Sequence, residues 1–199
     1  MRKEKYLELK KYIEELKVIS IKEKNNDPTF ITSIPYSITL NNGRTIEREK
    51  IMKGNKNGSA VIIMPITLEN EILTVIEPRV FTEKKVAVSF PAGYIENGEN
   101  PYMAALRELK EETGYVPKYL KLLDQFYQDE GCSEALNNSF IAFDSVCKYP
   151  QQLDSEEIIK IMTFNLEELE ELERNGYINS ANSKLTLEKG KKYIKRIMK

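Results

Sequence analysis

The chain has 199 residues, 41% of them hydrophobic and 31% charged, with a formal net charge of −1. That length suits one domain of ordinary size, or one with a small appendage, and the balanced charge leaves no large basic surface for a nucleic-acid backbone. Histidine is absent, which excludes Ser-His-Asp and Cys-His catalysis and His-ligated zinc within this chain, so acid–base chemistry near neutral pH falls to carboxylates, Lys, Tyr, Cys or a metal-bound water.

From the N-terminus, Tyr6, Leu9, Tyr12, Ile13 and Leu16 recur at helical spacing among Lys and Glu. This predicts an amphipathic helix over residues 2–17, packed on the body or on a second subunit. The same segment lacks the apolar core of a signal peptide, and no apolar run is long enough to span a bilayer. The expected location is the cytoplasm, with no membrane partner. Cys132 and Cys147 stand in no metal-ligand spacing and read as reduced thiols. "PYSITLNNGRTIEREKI" alternates on both sides of Asn41-Asn42-Gly43, which predicts a β-hairpin over 35–51. Residues 53–60 read as a polar linker.

After the linker the pattern changes. The continuous apolar run 60–66 predicts a strand buried on both faces, paired with 71–80 through a turn at Asn70. Further strands are expected at 85–90, 119–128, 138–146 and 156–164. Asn165 can cap a helix over 165–176, with Glu168 completing a capping box and Asn175-Gly176 ending it. A last helix is expected over 186–198. Strands mixed with helices indicate α/β or α+β layers. The chain divides into an N-terminal helix and hairpin region, 1–55, and a main domain, 56–199.

The segment "GYIENGENPYMAALRELKEETGY" (93–115) carries the strongest chemical signal. Pro91 and Gly93 end a strand, Pro101 suits the first helical position, and Gly114 supplies a C-cap. Glu108, Glu111 and Glu112 stand at i, i+3 and i+4 and project to one side. Like charges at this spacing repel, and Arg107 offsets the repulsion only partly. A solvated face tolerates such a cluster. A divalent cation cancels it, since Mg²⁺ and Mn²⁺ favour carboxylate and water oxygens, and the preceding loop brings main-chain carbonyls within reach.

Gly93, five residues, Glu99, seven residues and then "RELKEETGY" resemble the complete signature box of the Nudix hydrolases. The fixed positions are Gly93, Glu99, Arg107, Glu108, Leu109, Glu111, Glu112 and Gly114, followed by the apolar Tyr115. "FPAGYIENGE", the "EGCSE" loop and "EELERNGYINSANSKLTL" are similar to the ADP-ribose pyrophosphatase branch, and the likeness covers most of 35–190. The resemblance implies a Nudix fold, with a mixed sheet between helices and the box as loop–helix–loop. It implies Mg²⁺- or Mn²⁺-dependent hydrolysis of a nucleoside diphosphate linked to another moiety. ADP-ribose, giving AMP and ribose 5-phosphate, leads; another nucleotide sugar is the next candidate.

By the same resemblance Glu108 and Glu112 are the main metal ligands, Glu111 assists, and the Ala92 carbonyl is a further ligand. Gly93, Glu99 and Arg107 orient the box. The general base falls in "LDSEEIIKI" on Glu157 or, one residue earlier, Glu156, with Glu111 or Glu112 serving if neither does. Arg79, at the end of a hairpin strand, faces the substrate in relatives and could bind a phosphate bidentately, and Glu134 in the "EGCSE" loop is a further substrate-binding candidate. The hairpin at 35–51 resembles a small sheet through which this branch forms homodimers. Two positions depart from the branch: Ser89, where an acid is usual, and Glu130, where a proline commonly precedes the glycine. With no tryptophan in the chain, Tyr36 or another aromatic could stack on adenine. A reading from another class is a Nudix-fold sensor that binds a nucleotide without cleaving it, but every box carboxylate is kept, which favours turnover.

Overall fold

The apolar run Ala60–Thr67 forms strand β3 at the centre of the computed structural model, which describes residues 1–23, 30–54 and 56–197. Its side chains alternate between two core layers, as a strand covered on both faces requires. Val61 and Ile63 join Leu73, Ala104, Ala105, Leu109 and Phe140 on one side. Ile62, Met64 and Ile66 join Leu9, Leu169, Leu172 and Leu187 on the other.

The other elements are α1 (Lys3–Glu15), β1 (Ile31–Thr39), β2 (Thr45–Lys53), β4 (Ile72–Pro78), β5 (Val86–Ser89), β6 (Ala92–Tyr94) and α2 (Pro101–Thr113). They continue with β7 (Tyr115–Val116), β8 (Tyr119–Tyr127), β9 (Leu136–Cys147), β10 (Lys160–Phe164), α3 (Leu166–Arg174) and α4 (Ala181–Ile197). The main sheet runs β10-β4-β3-β9-β7, with β5 on β4, β6 on β3 and β8 on β9. Strands β3 and β9 are parallel, and the other pairs are antiparallel. Helix α2 covers one face, while α1, α3 and α4 supply core residues to the other, so the expected mixed sheet between helices is what forms. Helix α1 packs on the body through buried Leu9 and Leu16.

The hairpin β1–β2 is a separate two-stranded sheet, longer at both ends than the alternation predicts, with Gly43 at φ 81° in its turn. The capping box of α3 is present: Asn165 accepts the Glu168 N–H at 2.9 Å, and Glu168 accepts the Asn165 N–H at 3.1 Å. Two expectations need correction. The strand expected from residue 156 starts at Lys160, because Glu157 N–H donates to the Asp154 carbonyl at 3.0 Å and closes a turn first. Helix α4 starts at Ala181, earlier than expected, where Ser180 Oγ takes the Ser183 N–H at 3.1 Å. Strands β6 and β7 are too short to carry a period and have no signal in the sequence.

Candidate active site

Helix α2 is held in place at both ends. Asn100 Oδ1 accepts the Met103 N–H at 3.0 Å, Pro101 opens the first turn, and Gly114 closes the last at φ 76°. Its apolar stripe, Ala104, Ala105 and Leu109, is fully buried against the sheet. That seating presses Glu108 and Glu112 against the start of β6. A Cβ at Gly93 would lie 2.0 Å from the Glu108 carboxyl carbon, so any larger residue there would push that carboxylate out of its place. The loop before β10 is tied to the same helix end: Gln152 N–H donates to the Glu111 carbonyl at 2.8 Å, and Gln151 Nε2 to the Glu112 carbonyl at 2.6 Å.

Arg107 is the hub of the box. It donates from Nε and Nη2 to Glu99 at 3.0 and 2.9 Å, a bidentate pair. Nη1 reaches Glu108 at 2.7 Å and Glu111 at 3.1 Å, and Nη2 also reaches the Tyr94 carbonyl at 3.1 Å. The hydrogen bonds from Arg107 hold the Glu99 carboxyl below its usual range. Burial pushes Glu108 the other way, and Arg107 only partly opposes it.

Glu112 is the extreme case. It is 7% exposed and accepts the Ala92 N–H at 3.1 Å. Burial raises its proton affinity well above normal, and the charges of Glu77, Glu108 and Glu157 add to the shift. Among the described residues no side-chain cation pairs with it.

These groups line a cleft of about 850 Å³. Ala92, Gly93, Arg107, Glu108, Glu111 and Glu112 form one wall, and Arg79, Glu156 and Glu157 also face it. Glu99 meets the cleft only through Arg107. Glu156 and Glu157 are exposed; Glu157 accepts the Asp154 N–H at 2.9 Å, and its charge reaches both Glu108 and Glu112. Glu134 does not face this cleft. It pairs with Lys50 at 3.1 Å and lines an adjoining groove of about 520 Å³. Tyr36 lies on the hairpin under the Lys50 ammonium, whereas Tyr94 is the aromatic side chain on the cleft wall. Sequence reasoning missed Glu77, a cleft residue whose carboxylate accepts from Arg79 and from Ser89. A signal for the Arg79 contact was available: Glu77 on β4 and Arg79, one residue past its end, stand two apart, the spacing that puts extended residues on one face.

The donor set fits a hard divalent cation. One buried and one partly buried carboxylate have raised proton affinity, and Glu112 has no cationic partner among the described residues, so the pair calls for positive charge. Among the described residues no three acids already form a closed ligand cage. Arg107 holds Glu108 and Glu111 to itself instead.

A NUDIX domain matches residues 56–184. Over 132 residues the chain is 36% identical to ADP-ribose pyrophosphatase of Bacillus subtilis (strain 168), covering 66% of this chain and 69% of that protein. It is 34% identical over 132 residues to the methanol dehydrogenase activator of Bacillus methanolicus, again covering 66% and 69%. The crystal structure of an ADP compounds hydrolase shares the fold, with a TM-score of 0.69 at 24% identity over 91% of this chain and 95% of that one. With its glycine, arginine and glutamates assembled at one cleft and its domain matched over most of its length, the chain belongs to the Nudix family.

Proposed function

We propose that the chain is a pyrophosphohydrolase acting on a nucleoside diphosphate linked to another moiety. ADP-ribose is its leading substrate, with AMP and ribose 5-phosphate as products. The observation that carries this is Glu112, buried beside Glu108 with no cationic partner among the described residues, on the wall of a cleft that also holds Arg79 and Glu157. The identity to a B. subtilis ADP-ribose pyrophosphatase supports that choice of substrate.

Glu108 and Glu112, with Glu111 and the Ala92 carbonyl, would hold Mg²⁺ or Mn²⁺. Such an ion neutralises a diphosphate and acidifies water. Arg107 and Glu99 hold the carboxylates of the helix in register, and Gly93 leaves room for them. Arg79 is 54% exposed and offers guanidinium donors to phosphate oxygens. Glu157 is the base: Asp154 N–H fixes its Oε2, which leaves Oε1 to accept the proton of the attacking water. Water adds to one phosphorus, the bridging P–O bond breaks, and two phosphate monoesters leave. Glu156 lies on the same loop, and Glu156→Gln distinguishes it from Glu157→Gln: the larger loss of kcat identifies the base.

Strand β1 is exposed along its length, with Ile31, Ile34, Tyr36 and Ile38 each at least 40% exposed. A second copy of the chain covering this hairpin accounts for them, so a homodimer is the assembly we propose; a monomer mass in light scattering at micromolar concentration overturns it. A binding role without turnover has one observation in its favour, a relative named as an activator of another enzyme. Phosphatase-coupled phosphate release from a panel of nucleotide sugars, dinucleotides and triphosphates, with Mg²⁺ or Mn²⁺, separates the two. ADP-ribose leads the panel on our reading; nucleotide binding with no release on any compound sinks it.

A further inference from the structure

Glu77 is an acid of the cleft that neither the box nor the loop before β10 accounts for. It comes from the sheet, on β4, rather than from α2. Its carboxylate is 14% exposed, and a single oxygen, Oε1, takes Arg79 Nη2 at 2.6 Å and the Ser89 hydroxyl at 2.9 Å. The register explains the second contact: Val75 is opposite Ser89 and Glu77 is opposite Ala87, so Ser89 lies diagonally across from Glu77 on one face. Among the described residues, Glu77 is the acidic partner of Arg79.

We propose that Glu77 is a positioning residue for substrate binding: clamped by Ser89, it holds the Arg79 guanidinium in the orientation that meets the substrate diphosphate. This rests on Arg79 being the phosphate contact of the proposed reaction. An exposed arginine gives up rotamer freedom when it binds, and one already held loses less. The opposite consequence is also physical. A carboxylate at 2.6 Å offsets the positive charge of Arg79 and so weakens its pull on phosphate. Orientation and neutralisation therefore predict opposite signs when Glu77 loses its charge. The geometry adds a second expectation. A carboxylate placed on residue 89 reaches the same guanidinium from the neighbouring strand, so the acid can be moved from β4 to β5.

The test uses steady-state kinetics on ADP-ribose with Mg²⁺. Glu77→Gln is expected to raise KM about fivefold, the scale of one net hydrogen bond, with kcat within about twofold of the parent. Arg79→Ala raises KM further, and adding Glu77→Gln to it has no additional effect, because Glu77 acts through Arg79. Glu77→Ser combined with Ser89→Glu returns KM to within about twofold of the parent, while Glu77→Ser alone does not. If Glu77→Gln leaves KM unchanged or lowers it, the positioning role is overturned. Losses that multiply in the Arg79→Ala background overturn it too, as does a swap no better than the single change. If Arg79→Ala itself leaves KM unaltered, the phosphate contact fails first and the proposal with it. Should Glu77→Gln not fold, Ser89→Ala provides the same measurement without removing a charge: KM rises if the clamp matters, and an unchanged KM overturns it.

Discussion

Glu168 and Glu112 are both buried glutamates on helices, 5% and 7% exposed, and the chain treats them in opposite ways. Glu168 caps its own helix through the Asn165 N–H and takes Lys5 Nζ at 3.1 Å, so its charge is met on both sides. Glu112 takes one backbone N–H at 3.1 Å and faces three more carboxylates. Burying a carboxylate without a cation costs several kcal/mol, on the order of what a small domain's whole stability can bear. A structural site removes that cost, as Lys5 does for Glu168. On the proposed reading, a cleft that leaves it standing receives its cation from outside. The contrast then separates an acid that serves the fold from one proposed to serve chemistry, although the two look alike as letters.

The largest expected effect breaks the contrast at its functional end. Glu112→Gln keeps the shape and the Ala92 contact but removes the charge. We expect Mg²⁺-dependent phosphate release to fall at least about a hundredfold, the scale of losing one charge-stabilising contact at the reacting group. The unfolding midpoint of the metal-free protein stays level or rises, since an unpaired buried charge has been deleted. Added Mg²⁺ raises the midpoint of the parent and not of the variant, by linkage. Equal turnover in variant and parent refutes the assignment of Glu112.

Lys5→Met reverses the experiment at the structural end. Lys5 bridges Glu71 at 2.8 Å and Glu168 at 3.1 Å, with its side chain 19% exposed. Removing it leaves Glu168 buried without a cation, as Glu112 already is. The expected cost is about 2 kcal/mol, below that of a fully buried pair because the site is partly wet. Chemical denaturation reads it as a lower midpoint at constant slope. The kcat on ADP-ribose does not change, because Lys5 contacts nothing in the cleft. A variant as stable as the parent shows that the bridge is only a surface contact.

The sequence made one end of this comparison far more legible than the other. Glu108, Glu111 and Glu112 could be picked out because one helix fixes their spacing, and Gly93, Glu99 and Arg107 because they complete a box that resembles a known family's within the same loop and helix. Lys5, Glu71 and Glu168 come from three distant segments, and no local pattern joins them. The Glu77–Ser89 contact was lost for the same reason, since the two residues are on different strands and only the register brings them together. The elements were legible where a long apolar run or a local cap marked them, as in Ala60–Thr67 and the α3 capping box. Three-residue β6 has no period to read, and the turn at Asp154–Glu157 overrode a strand pattern with a local hydrogen bond.

The smallest expected effect sharpens the structural end by pH. Burial alone raises the Glu71 carboxyl, but hydrogen bonds from Lys5 and Thr163 outweigh it and hold the group below its ordinary value of 4.5. A carboxyl lowered in the folded state contributes stability that is present above the unfolded value and is lost as pH falls through the folded one. The share of the stability gap between the parent and Lys5→Met that Glu71 carries should therefore be constant from neutral pH down to about 4.5 and close below it, as Glu71 takes up its proton. Thr163→Val removes the other donor and shrinks the same window by a smaller amount, because a neutral hydroxyl stabilises the ionised form less than an ammonium does. Urea unfolding of parent and both variants across this range measures the gap. One that stays fully open at low pH, where both carboxylates are protonated, shows that Lys5 stabilises the fold by packing on Phe164, whose ring centroid lies 5.6 Å from its ammonium, and not through Glu71 and Glu168.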